Sequence, residues 1–133
     1  MTLSATLGKL APKEISVYFD NVGGGHLEAA LDHMHVHGVV VSCGMISTFK
    51  ATEPVPAPRN LFKIIGERVR MEGMLVFDSL DQRDAFLKDM SGWIKSGAIA
   101  WEETITDGLE NAPDAFIGLL KGDNIGKSLV HIG

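Results

Sequence analysis

The chain has 133 residues, enough for one domain with its own core, and its 45% apolar and 22% charged content excludes a disordered chain. A net charge of −5 and a pI near 5.4 exclude a general affinity for nucleic acid, which rests on basic residues meeting phosphates. No apolar run approaches the roughly 20 residues that span a bilayer. The N-terminus lacks the apolar core of a secretory signal, and the single Cys43 forbids an internal disulfide and fits a reducing cytoplasm.

Leu3, Leu7 and Leu10 recur at helical spacing before Pro12 and predict a helix over Thr2–Leu10 with no evident lead-in, as if it were the tail of a longer one. Ile15–Phe19 is nearly continuously apolar and predicts a strand in a sheet covered on both faces. Asn21–Gly25 is a turn. Leu27, Ala30, Leu31 and Met34 then mark one face of a helix ended by Gly38, which places His33, His35 and His37 near its last turn. Val39–Ser42 is the second strand. Strand, helix and strand in so short a span make a βαβ unit with a parallel pair.

Met45–Pro58 is a loop, since "TEPVPAP" holds three prolines in seven residues. Asn60 is placed to cap a helix with Leu61, Ile64 and Ile65 inward. Arg70–Phe77 is a third strand, and Ser79 and Gln82 have capping-box spacing. The next helix carries a stripe of Phe86, Leu87, Met90, Trp93 and Ile94 and ends at Gly97. Ala100–Thr106 is a strand. Asn111 then caps a helix with Pro113 in its first turn and a stripe of Ala112, Ala115, Phe116, Leu119 and Leu120. Lys127–Ile132 closes the chain as a strand. The fold class is α/β, with the first strand apolar enough to be central yet lacking any earlier strand to pair with its other edge.

Three tempting motifs fail on their own terms. His33, His35 and His37 alternate, but no carboxylate or thiolate accompanies them at ligand spacing, so a metal is not expected. "GDNIGKS" resembles a phosphate-binding loop, but its first glycine is misplaced and it lies between helix and strand rather than strand and helix. "VGGGH" lacks the third glycine of a dinucleotide fingerprint. Cys43 has no base beside it in sequence to make it a nucleophile, and reads as core packing.

Four stretches in order, "VYFDNVGG", "CGMIS", "RNLFKIIGERVRMEGMLV" and "GLENAPDAFIGLLKGDNIGK", closely resemble the NADP-dependent, zinc-free branch of the medium-chain dehydrogenase/reductase superfamily, nearest its alkenal/enone double-bond reductases. The resemblance covers nearly the whole chain, but only the C-terminal part of such an enzyme. It implies a partial Rossmann fold: residues 1–99 supply the second half of a parallel, NADP-binding sheet, and residues 100–133 a helix and strand that return to the catalytic domain. The Gly-rich first strand of the family is not in this sequence, and it is the partner that Ile15–Phe19 lacks.

The resemblance also implies contacts. Asn21 resembles the asparagine at the cofactor crevice. Cys43, Gly44, Met45, Ile46 and Ser47 resemble the loop under the nicotinamide ribose. Met74, Leu75 and Val76 resemble the segment along the nicotinamide, and Asn124 an asparagine reaching back from the tail. Phe49 stands where many relatives carry tyrosine; it keeps the ring and loses the hydroxyl. The implied activity is reduction of the C=C bond of α,β-unsaturated aldehydes or ketones by hydride from NADP(H), with the isolated chain weak or inactive because the pyrophosphate site is absent. Family members often form homodimers through sheet edges, here the one near Met74. A non-enzymatic module that dimerises through its bare strands, including Ile15–Phe19, is the alternative.

Overall fold

The structure is a computed structural model that describes residues 2–133. The chain divides into two compact units, Met1–Leu80 and Asp81–Gly133. Among the described residues, no helix is long and apolar enough to cross a membrane.

The first unit is a three-stranded parallel sheet in the order β1-β2-β3, with β1 at Ile15–Asp20, β2 at Met34–Ser42 and β3 at Arg70–Gly73. Helix α1, Leu3–Leu10, starts after Thr2, whose extended backbone and side chain accepting the Ala5 N–H cap it. Helix α2, Gly24–Leu31, links β1 to β2. Leu27 and Leu31 lie against Met34, Val40 and Val69, with Ile15, Tyr18 and Ile64 at the margin, and this is the core of the unit.

Alternation along the strands explains which face is filled. Tyr18 pairs with Val40, and Val40 with Met71, on the helix-covered side. Val17 and Phe19 pair with Val39 and Val41 on the other side, where they are 64% and 51% exposed. The apolar run that reads as a doubly covered strand is covered here on one face, and β1 is a sheet edge.

Several local expectations are corrected. Helix α2 stops at Leu31, and Met34 opens β2 instead of continuing the helix. A bulge inserts residues 35–38 between the pairs Ile15–Met34 and Val17–Val39. His37 takes φ 65° there and its N–H bonds to the Glu67 carbonyl at 2.7 Å. Gly38 lies inside this strand because a Cβ would meet the His35 carbonyl at 2.9 Å and the Ile15 carbonyl at 3.2 Å. His35 and His37 are therefore strand residues, and His33 lies in the preceding turn with its Nε2 2.7 Å from the Ser4 carbonyl.

Asn60 caps nothing: α3 is one turn, Lys63–Gly66, and starts after Phe62. The Asn60 amide instead donates to the Glu28 carbonyl and to Asp32 Oδ1, both at 2.8 Å, and ties the end of the proline loop to the end of α2. Leu61 and Ile65 stay 39% and 81% exposed, so only Ile64 of the expected trio faces the core. β3 ends at Gly73 because β2 offers no partner beyond Ser42; the Met74 N–H makes the last bond, to the Ser42 carbonyl at 3.0 Å. Residues 76–82 then form 3-10 turns, and Ser79 and Gln82 make no capping bond.

The second unit holds α4, Arg83–Ser96, then β4, Glu103–Asp107, α5, Ala112–Lys121, and β5, Lys127–His131. β4 and β5 are parallel neighbours joined through α5. Gly97 and Gly122 end the two helices in the left-handed conformation, φ 71° and 83°, where glycine has no Cβ to clash. Asn111 sits at the start of α5, but its amide donates backwards to the Asp107 carbonyl and not to the helix. The α4 stripe forms as the periodicity predicts yet stays uncovered, with Phe86 58% and Trp93 48% exposed.

Candidate functional site

The carboxyl ends of three adjacent parallel strands meet at one edge of the first unit, the place where open α/β sheets hold ligands. The turn after β1 and the loop after β2 are laced together there. The Asp20 carbonyl accepts the Cys43 and Gly44 N–H groups at 2.9 and 3.0 Å. The Asn21 carbonyl accepts from Ile46, and the Val22 carbonyl from Ser47, both at 3.1 Å. The Ser47 hydroxyl adds a second bond to Val22, at 2.5 Å.

Glycine is required where these segments touch. Gly23 has φ 68°, and a Cβ on it would lie 3.1 Å from Met45 Cγ. A Cβ on Gly44 would lie 3.3 Å from the Asn21 carbonyl. Side chains at either place would spread the turn from the loop.

Beneath the turn lies Asp20, with no exposed surface. Its Oδ1 accepts from the Tyr18 hydroxyl at 3.1 Å, the Val22 N–H at 3.0 Å and the Gly23 N–H at 2.8 Å. Its Oδ2 is buried without a partner. Burial, then the bond to Asp20 and its charge, push the Tyr18 phenol up to about 12. Neither residue stood out in the sequence. The signal was there: an aspartate followed at two and three residues by backbone N–H groups in a glycine turn is a local capping arrangement.

The structure brings Asn21, Cys43, Gly44, Met45, Ile46 and Ser47 together, with Asn21 exposed and Met45 and Ile46 47% and 52% exposed. Phe49 follows a 3-10 turn and is 72% exposed. Met74 lies beside Ser42, and Leu75 and Val76 continue outward, 62% and 58% exposed, past the strand rather than in it. Met74 and Leu75 border a hollow of about 360 Å³ with Val39, Val41 and Glu72. An apolar pocket of about 230 Å³ lies between the turn and the proline loop, lined by Gly24, Leu27, Met45, Val55 and Pro56 among others. Asn124 belongs to the second unit, where its amide donates to the Gly126 carbonyl at 2.7 Å and borders a hollow of about 350 Å³ with Thr104, Asp114, Leu119 and Asp123.

A parallel sheet whose strand ends carry a glycine turn and a backbone-laced loop is the arrangement in which open α/β folds hold ligands. A family model described as zinc-binding dehydrogenase matches residues 2–130, and the chain belongs to that family. Over 130 residues it is 42% identical to the 2-alkenal reductase (NADP(+)-dependent) of Nicotiana tabacum, covering 98% of this chain and 38% of that protein. It is 38% identical to prostaglandin reductase 1 of Sus scrofa, covering 97% of this chain and 40% of that one. CurA from Vibrio vulnificus, solved in complex with NADPH, superimposes with a TM-score of 0.84 at 35% identity, over 98% of this chain and 40% of that one. The chain thus spans about two fifths of the length of these relatives. Among the described residues no three of His, Cys, Asp and Glu gather where they could hold a metal.

Proposed function

We propose that this chain is part of an NADP(H)-dependent oxidoreductase that reduces the C=C bond of α,β-unsaturated aldehydes and ketones. The observation that carries the reading is the laced crevice at the strand ends, in a chain 42% identical to a 2-alkenal reductase. Gly23, Gly24 and Gly44 let the turn and the loop pack closely against each other, and the exposed Asn21 offers both a donor and an acceptor. Asn21, the 43–47 loop and residues 74–76 would hold the nicotinamide end. The cofactor supplies hydride chemistry when bound, and these residues orient it and exclude water on one side. The resemblance names Asn124, in the second unit, as a further cofactor contact. Phe49 contributes a ring without a hydroxyl.

The pyrophosphate site belongs to the first half of a Rossmann sheet, so this chain by itself holds the cofactor weakly. The test joins it to the N-terminal portion of the tobacco 2-alkenal reductase, replacing the matching segment. NADPH oxidation that depends on added 2-alkenal is the expected result. A folded hybrid that binds NADPH but leaves every enone untouched overturns the substrate class.

A second reading has its own observation: β1 is a bare edge with Val17 and Phe19 exposed. A non-enzymatic module would cover that edge with a second copy, while a family homodimer would form through the edge near Met74. Sedimentation of the 133-residue chain tests the module, since a monomer at micromolar concentration excludes pairing through the bare edge. We place the protein in the cytoplasm, a compartment that suits its one thiol, Cys43. The acidic net charge of −5 argues against nucleic acid as a partner.

A further inference from the structure

Among the described residues, Asp20 is the only charged side chain that is buried. A carboxylate is retained in such a place only where donors hold it. Three donors converge on Oδ1, from Tyr18, Val22 and Gly23, while the backbone carbonyl of the same residue takes Cys43 and Gly44. One residue therefore fastens both the turn after β1 and the loop after β2. Oδ2 takes no part. All of the side chain's fastening runs through a single acceptor oxygen, which an asparagine amide also supplies.

We propose that Asp20 is a positioning residue for the nicotinamide end of the cofactor. It acts through Val22 and Gly23, whose amides fix the turn that presents Asn21, and Tyr18 holds it from the strand. This rests on the NADP(H) reading. A residue of this kind sets how tightly the cofactor is held in the ground state and transition state alike. Its loss raises KM for NADPH and leaves kcat in place.

Asp20→Ala, Asp20→Asn and Tyr18→Phe are the variants. In the hybrid enzyme, Asp20→Ala should raise the NADPH KM about ten-fold, the effect of losing one or two hydrogen bonds, with kcat unchanged. Asp20→Asn should restore KM to within about three-fold, because it keeps the acceptor. An unchanged KM in Asp20→Ala, a kcat that falls along with it, or no rescue by Asn overturns the proposal. A hybrid that binds NADPH without reducing enones overturns the enone reading alone, and the Kd ratios of the variants then decide this one. A hybrid that does not bind NADPH overturns both.

The contact itself is read in the 133-residue chain, where Tyr18 is the only tyrosine. Its phenolate titration should centre near pH 12 and move part of the way to its ordinary value of 10.0 in both Asp20 variants, burial holding the remainder. A titration that ignores Asp20 overturns the dyad whatever the enzyme does.

Discussion

Replacing Asn60 with alanine should destabilise the first unit by about 1–2 kcal/mol, and the structure says why the figure is not larger. The amide makes two bonds of 2.8 Å, to the Glu28 carbonyl and to Asp32 Oδ1. The neutral bond contributes about 1 kcal/mol and the charge-assisted one about 1.5–3 kcal/mol in full burial. The Asp32 side chain is 36% exposed, so water replaces part of the second and it is discounted to about 1 kcal/mol. The Asn60 Oδ1 is buried without a partner, and removing it returns part of its desolvation cost, on the order of 1 kcal/mol. Asn60→Asp should be worse, at about 3 kcal/mol or more, because it sets a carboxylate against both the Glu28 carbonyl and Asp32.

The Asp32 carboxyl is held below its ordinary value first by Asn60, then by Ser4, Lys63 and His33, against a desolvation that raises it. A depressed carboxylate stabilises the fold above its unfolded pKa of about 3.8 and loses that contribution as pH falls through the folded value. The gap between the wild-type chain and Asn60→Ala should therefore narrow on acidification below that point. Urea unfolding at a series of pH values, followed through the difference absorbance of Tyr18, measures both effects. Equal stability of Asn60→Ala and wild type near neutral pH, or an Asn60→Asp more stable than Asn60→Ala, would refute the reasoning.

Leu31, with no exposed surface in the middle of the small core, should cost about 2–5 kcal/mol as Leu31→Ala and lower the urea midpoint accordingly. The raised Tyr18 phenol means the unfolded chain releases its proton first. Stability of the first unit should therefore fall as pH rises from about 10 to about 12, and Tyr18→Phe should flatten that limb of the profile. Gly126, at φ 68°, has no room for a Cβ against the Glu102 carbonyl, and Gly126→Ala should part β4 from β5, read as lost protection of the Lys127 amide, which bonds Glu102 at 2.9 Å. Glu28 fixes Arg59 with a side-chain ion pair at 2.9 Å and accepts its backbone N–H, so Glu28→Gln should speed tryptic cleavage after Arg59 with the fold intact.

The family and the order of elements were legible in the sequence, because both depend on local pattern. Ile15–Phe19 and Val39–Val41 are apolar and β-prone wherever they sit, and the α4 and α5 stripes recur at helical spacing regardless of neighbours. Glycine before and after these runs marks their ends for a reason internal to the backbone, as Gly97 and Gly122 confirm. The candidate crevice was legible only through resemblance, which named Asn21 and the 43–47 loop but passed over Asp20 and Tyr18 beneath them.

What tertiary structure decided is where polar side chains find partners. Asn60 and Asn111 read as helix caps, but each has a better acceptor elsewhere, Glu28 and Asp32 for the first and Asp107 for the second. Met34 fits a helical face, yet pairing with Ile15 draws it into the sheet through a bulge that no periodicity encodes. The strand after Arg70 stops at Gly73 because its neighbour stops at Ser42, not because its own residues change character. Burial is likewise a property of neighbours: the same apolar pattern that buries Val40 leaves Val17 and Phe19 in solvent, since within the first unit's described residues the helices pack on one face of the sheet.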